Sequence, residues 1–157
     1  TEHRILTLTG SGGAGKTRLS LQVGTECLEQ FPNGVWFVEL ASLTEPSLIV
    51  GAVTSVLGWH EKDNDIHALA KYIGGQSLLM ILDNCEHLIE ACAQLSERLL
   101  HACPNLKILA SSREALAALL DEVEQRLRKP RRQIIAAQTM RHVRHLLSLP
   151  TPSRPPA

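Results

Sequence analysis

Gly10-Ser11-Gly12-Gly13-Ala14-Gly15-Lys16-Thr17 matches the pattern G-x-x-x-x-G-K-[ST]. Glycines let a backbone wrap closely enough for its N–H groups to point at phosphate oxygens. A loop that opens a helix adds the positive end of the helix dipole. Lys16 is then expected to reach the β- and γ-phosphates of a nucleotide, and the Thr17 hydroxyl to ligate Mg²⁺. The expected phosphate-binding set runs from Gly10 through Thr17 to Arg18, the next residue of the helix. A chance Gly-rich turn would match too, but this stretch follows an apolar strand and precedes an amphipathic helix.

Such a loop needs a carboxylate for the metal, at the end of a neighbouring strand. Asp83 follows the apolar run Leu78-Leu79-Met80-Ile81-Leu82 and holds that place. It can also be a helix N-cap, since a helix follows, and the two readings are compatible. Asn84 stands where a second acid often would, and an amide cannot accept a proton as a carboxylate can. Glu86 can substitute as the base, or can simply favour a helix N-terminus. His87 is the weaker base candidate. Arg113, after Ser111-Ser112 at another strand end, can reach a γ-phosphate and distinguish ATP from ADP.

These residues need a scaffold. Ile5 to Thr9 is β-prone, and after the glycines Leu19, Val23, Cys27 and Leu28 recur at helical spacing. Pro32-Asn33-Gly34 marks a turn, and Val35 to Val38 reads as a buried strand. Thr44, with Pro46 behind it, can cap a helix running to about Leu57. Asn64 or Asp65 can cap the next, with Ile66, Leu69, Ala70 and Ile73 on one face and Gly74-Gly75 at its end. The run Leu78 to Leu82 lacks alternation, as a central parallel strand should. Leu88, Cys92, Leu95 and Leu99 form one helical stripe before Pro104. Leu106 to Ala110 is a fourth strand. Alternation of this kind predicts an α/β fold, a three-layer sandwich on a parallel sheet of about four strands.

The 157 residues suit one domain with a real core, and the formal net charge is zero. That zero is a sum of opposites. All sixteen acidic residues and eight of the sixteen Lys/Arg lie in residues 1–125, and the other eight Lys/Arg lie in 126–157. No signal segment or membrane-length apolar run is evident, so a cytoplasmic protein is expected. There is no initiator Met, which reads as a fragment. Cys27, Cys85, Cys92 and Cys103 form no CxxC pair, which disfavours zinc and favours buried thiols. Aromatics make up 3% of the chain, too few for a platform that stacks single-stranded nucleic acid.

Four stretches together resemble a known family. They are Leu6 to Gly10 running into Gly15-Lys16-Thr17-Arg18-Leu19, then Gly34-Val35-Trp36-Phe37-Val38-Glu39-Leu40, then Leu82-Asp83-Asn84-Cys85-Glu86-His87-Leu88, and Ala110-Ser111-Ser112-Arg113-Glu114. The set resembles the nucleotide-binding domain of STAND-type P-loop ATPases, in the branch found in large bacterial LuxR-type and related transcriptional regulators. The resemblance implies an ATP/ADP-dependent switch with Mg²⁺, and Asn84 in place of a second acid leaves open slow hydrolysis or nucleotide binding without efficient turnover. Lys16 and Thr17 match the phosphate and metal residues, Asp83 the metal acid and Arg113 the sensor arginine. It also implies partner domains, DNA-binding and helical-repeat, within a longer regulator.

The resemblance covers about Ile5 to Leu116, so residues 1–116 are read as a partial nucleotide-binding core. Residues 117–149 read as a helical, basic extension without a strand, including a helix from Ile134 to about Leu147. Residues 150–157 read as a Pro-rich linker or disordered end. The tail is expected to be solvated or to lie against the acidic part, without direct nucleic-acid or membrane binding. Two other readings of the whole stay open: a metabolic P-loop kinase or ATPase, and a degenerate nucleotide-binding scaffold for protein interaction.

Overall fold

A computed structural model describes residues 3–60, 65–113 and 135–136. The elements, in order, are β1 (Ile5–Thr9), α1 (Lys16–Cys27), β2 (Val35–Glu39), α2 (Ile49–Val56), α3 (Ile66–Ile73), β3 (Leu79–Asp83), α4 (Ile89–Ala102), β4 (Lys107–Ser112) and β5 (Ile135–Ala136). All strand pairs are parallel, and the sheet order is β2-β3-β4-β1-β5. The fold is therefore α/β, with a four-stranded parallel sheet extended at one edge by a two-residue strand.

The sheet separates two apolar layers. On one face Leu6, Leu8, Leu79, Ile81 and Leu109 pack with Val23 and Cys27 of α1. On the other, Met80, Leu82, Ile108 and Ala110 pack with α2, α3 and α4. This alternation puts odd and even positions of β3 into different layers, so a strand buried throughout needs an unbroken apolar run. The arrangement is that of a three-layer sandwich. Each fully buried Leu contributes about 1.5–3 kcal/mol through its removal from water.

Local signals account for most helix ends. Asp65 caps α3 by accepting from the Ala68 N–H at 2.7 Å, and Gly74, with φ of 49°, ends it. The stripe on α4 buries Cys92, Leu95 and Leu99. Its last carbonyls are held by a residue far away in sequence. The Arg4 guanidinium donates to Leu100 O at 2.6 Å and Cys103 O at 2.9 Å, a cation on the negative end of the helix. No helix among the described residues is long and apolar enough to cross a membrane.

Four local expectations need correction. Val35 to Val38 is an edge strand, and only Val38 of those four is fully buried, because β2 has β3 on one side alone. Leu28 leaves the stripe of α1: it starts a 3-10 turn and is 53% exposed. Glu45, not Thr44, precedes the 3-10 turn at Pro46–Leu48, and α2 follows that turn. Finally, the helical reading from Ile134 to about Leu147 fails at Ile135 and Ala136. These pair with Leu8 and Thr9 as β5. The open edge of β1 offers unpaired backbone groups, and a β-branched Ile favours the extended form. The rest of the 117–149 extension and the 150–157 end lie outside the described residues, as does Asn64.

All four cysteines are buried and none is in a disulfide. A hydrogen bond with Cys92, and then burial, raise the Cys85 thiol well above its ordinary range. Burial likewise raises Cys103. A raised thiol pKa means less thiolate at a given pH and slower alkylation. We expect both cysteines to react at pH 8 at least about 100-fold more slowly in the native chain than in urea, since reaction requires local opening. Mass spectrometry of labelled peptides checks this.

α1 approaches the sheet closely through Gly24. A Cβ there would stand 3.0 Å from Ile81 Cδ1 and 3.2 Å from Val35 Cγ1. Gly24→Val should therefore overpack this contact and lower unfolding free energy by about 1–3 kcal/mol. The expected readout is a lower urea midpoint at unchanged slope.

Candidate functional site

The parallel sheet brings several strand ends to one edge. In register, Leu8 faces Ser111 and Thr9 faces Ser112 across β1 and β4, while Glu39 faces Asp83 across β2 and β3. The glycine loop leaves β1 here and enters α1. Gly13 and Gly15 have φ of 79° and 80°, the left-handed region that only glycine adopts without strain. Ala14 N–H donates to Ser11 O at 3.2 Å and so closes the loop. The first helical bond of α1 is Leu19 N–H to Gly15 O at 2.9 Å. The N–H groups of Lys16, Thr17 and Arg18 consequently have no acceptor in the helix.

The Lys16 ammonium lies over this loop and donates to Gly10 O at 2.8 Å and Ser11 O at 3.0 Å. Thr17 Oγ1 donates to Asp83 Oδ2 at 2.7 Å, across 66 positions of sequence. Ser111 Oγ donates to the other oxygen, Asp83 Oδ1. Asp83 is 3% exposed, so both carboxylate oxygens need such partners. The helix-cap reading of Asp83 fails, because its side chain turns toward α1 and β4, and α4 begins only at Ile89.

The chain turns sharply after Asp83. Asn84 has φ of 65°, the sole left-handed residue besides glycine among the described ones. Its N–H donates to Ser111 Oγ at 3.0 Å. Its side-chain amide, with nitrogen toward Glu86, donates to Oε1 at 2.7 Å and Oε2 at 3.1 Å. Glu86 stands in a 3-10 turn, Cys85–His87, rather than in the first turn of a helix. Its Oε1 is 3.5 Å from Arg113 Nε. Arg113 in turn reaches back to the loop: a Cβ on Gly12 would be 3.4 Å from its Nη2. His87 turns away, its Nε2 lying 2.7 Å from Leu43 O.

Thr17, Asp83, Ser111, Asn84, Glu86 and Arg113 thus form one chain of polar contacts. Gly12 through Arg18 and Asn84, Glu86, Ser111 and Arg113 line an open cleft of about 580 Å³. Of the candidate residues from the sequence, Gly10, Ser11, Asp83 and His87 are not in this lining; the carbonyls of Gly10 and Ser11 hold Lys16. Asp83 does not reach the cleft wall itself but acts on Thr17 behind it. In the sequence Ser111 is only a strand-final serine, with no signal for its two bonds. Among the described residues no three His, Cys, Asp or Glu side chains gather as a ready-made metal cage. The hydroxyl–carboxylate pair of Thr17 and Asp83 has the hard oxygen donors that suit Mg²⁺ shared with phosphates.

No protein-family model matches the chain. It is 41% identical over 117 residues to "Putative HTH-type transcriptional regulator Rv0890c" of Mycobacterium tuberculosis, covering 73% of this chain and 13% of that protein. It is 37% identical over 118 residues to "Uncharacterized protein Rv0894" of the same species, covering 74% and 30%. To "Regulatory protein AfsR" of Streptomyces griseus it is 27% identical over 125 residues, covering 73% and 12%. The chain spans less than a third of the length of each of these relatives. It is thus similar to one segment of longer bacterial proteins, several of which carry the names of transcriptional regulators.

Proposed function

We propose that residues 5–113 form an ATP/ADP-binding switch module of a transcriptional-regulator ATPase, with Mg²⁺-dependent and slow hydrolysis. The observation that carries this reading is the bond from Thr17 Oγ1 to Asp83 Oδ2 at the helix end of a glycine loop. A hydroxyl and a buried carboxylate meet there, beside the loop whose carbonyls hold Lys16. The relatives named as regulators support the setting, a longer protein with an output domain.

Each residue has a role in this reading. The loop N–H groups and those of Lys16, Thr17 and Arg18 donate to phosphate oxygens. Lys16 exchanges the carbonyls of Gly10 and Ser11 for the β- and γ-phosphates. Thr17 and Asp83 hold Mg²⁺, which when bound supplies positive charge to the phosphates. Arg113 senses the γ-phosphate by leaving Glu86 for it. Glu86 is the candidate base. Its carboxylate accepts from the Asn84 amide at both oxygens, so it is poorly free to orient water, and turnover is slow. A stable ATP state suits a switch better than an efficient metabolic enzyme.

Calorimetry with ATP and Mg²⁺ tests the site. Lys16→Ala should bind at least about 10-fold more weakly, as loss of a charge-assisted contact predicts, and equal affinity would sink the assignment. In turnover assays, Glu86→Gln should lower kcat by roughly 100-fold with ATP affinity nearly kept, the range of a lost general base. Asp83→Ala should instead remove the gain in affinity that Mg²⁺ brings. An unchanged kcat in Glu86→Gln would remove Glu86 from the chemistry.

A further inference from the structure

Ser111 belongs to neither the glycine loop nor the acidic strand end. Yet it is 1% exposed, and its single hydroxyl makes two bonds in the middle of the site. It donates to Asp83 Oδ1 and accepts the Asn84 N–H at 3.0 Å. A hydroxyl has one proton and two lone pairs, so the donor is fully used and the acceptor side is engaged. Sheet order explains why this residue is there. β4 lies between the loop strand β1 and the acid strand β3. Positions 109 and 81 share the layer under α1, and 111 and 83 continue it by strand alternation. Within the sheet, a link from β3 toward β1 therefore passes β4.

The two bonds to Asp83 are of different kinds. Thr17 Oγ1 occupies Oδ2, on the side of the loop. Ser111 occupies Oδ1, on the side of the sheet. A ligand that draws Thr17 away from Asp83 leaves the Ser111 bond untouched. That bond then keeps a buried carboxylate from rotating, and the same hydroxyl pins Asn84 in the left-handed turn that returns Glu86 to Arg113.

We infer that Ser111 is a positioning residue for the metal site: it holds Asp83 so that Oδ2 faces Thr17, and it ties this orientation to the Asn84 turn. The inference rests on the nucleotide-site reading above. Partners that orient a metal ligand from behind typically alter metal affinity by 10–100-fold when removed. Ser111→Ala should accordingly reduce the gain in ATP affinity brought by Mg²⁺ by about 10–100-fold. Affinity in EDTA should stay within about threefold, since loop N–H groups and Lys16 supply it. A residue with a merely structural role would weaken both together.

The test is calorimetry of ATP binding by the full 157-residue chain, with Mg²⁺ and with EDTA, on wild type, Ser111→Ala and Ser111→Thr. Threonine keeps the hydroxyl and should restore the Mg²⁺ gain. If alanine prevents folding, Ser111→Cys keeps the shape with a weak donor, and the same loss is expected. Amide hydrogen exchange at Asn84 adds a readout without nucleotide, and it should quicken in Ser111→Ala. A Mg²⁺ gain equal to wild type in Ser111→Ala or Ser111→Cys, or an Asn84 amide that exchanges no faster in either, overturns the inference while leaving the site reading intact. ATP binding by wild type with no Mg²⁺ gain overturns both.

Discussion

The site depends on one buried carboxylate. Asp83 ends an apolar strand inside the sheet, where an ion without partners would cost several kcal/mol. Each of its oxygens accepts one hydroxyl, from Thr17 on α1 and Ser111 on β4. The carboxylate is thereby tied to the helix after the loop and to the strand beside it. The loop, the acid and the arginine are carried by different elements, and this one group holds all three in register. The Asn84 turn follows from it, because the N–H of that turn is fixed by the same serine.

The sheet makes such a tie possible. Parallel strands with helical crossovers bring every carboxyl end to one edge, and loops there meet over the same cleft. Apolar alternation lets α1 cover one face and α2 to α4 the other. Gly24 carries no side chain that would press α1 away from Ile81 and Val35, and at the start of the same helix Thr17 bonds Asp83. Packing in the core and geometry in the site are here a single requirement.

Much of this is legible in the sequence, and the part that is not has a common cause. The glycine loop, the strand-final acid and the four main strands are local patterns, readable from residue types and periodicity. The sequence overstates the burial of β2, because Val35 to Val38 is as apolar as a central strand and nothing in its own residues says it has one neighbour. Ile135 and Ala136 join β1 through an open edge, again a matter of neighbours. The same holds for Arg4 on the end of α4 and for the two bonds of Ser111. Strand order is a non-local property, so contacts that depend on it leave no local trace. Asn84 differs: asparagine tolerates the left-handed region, but only its structure shows that it uses it.

The contacts of the site fall into fixed and exchangeable classes, and their burial sorts them. Ser111 and Asp83 are almost wholly buried, so their bond is dry and expensive to break. Arg113 and Glu86 have side chains 68% and 23% exposed, and a pair so open to water is worth at most about 1 kcal/mol. Lys16 rests on two carbonyls at the loop rim, which a phosphate can replace. In the proposed reading, the groups that must move toward a γ-phosphate are those held weakly, and the groups that must keep a metal ligand in place are those held strongly. An arginine locked by a buried pair could not report on the nucleotide, and a carboxylate held only at the surface could not keep its geometry while Thr17 changes partner. In that reading, the difference in burial between Asp83 and Arg113 divides the site into a rigid half and a responsive half.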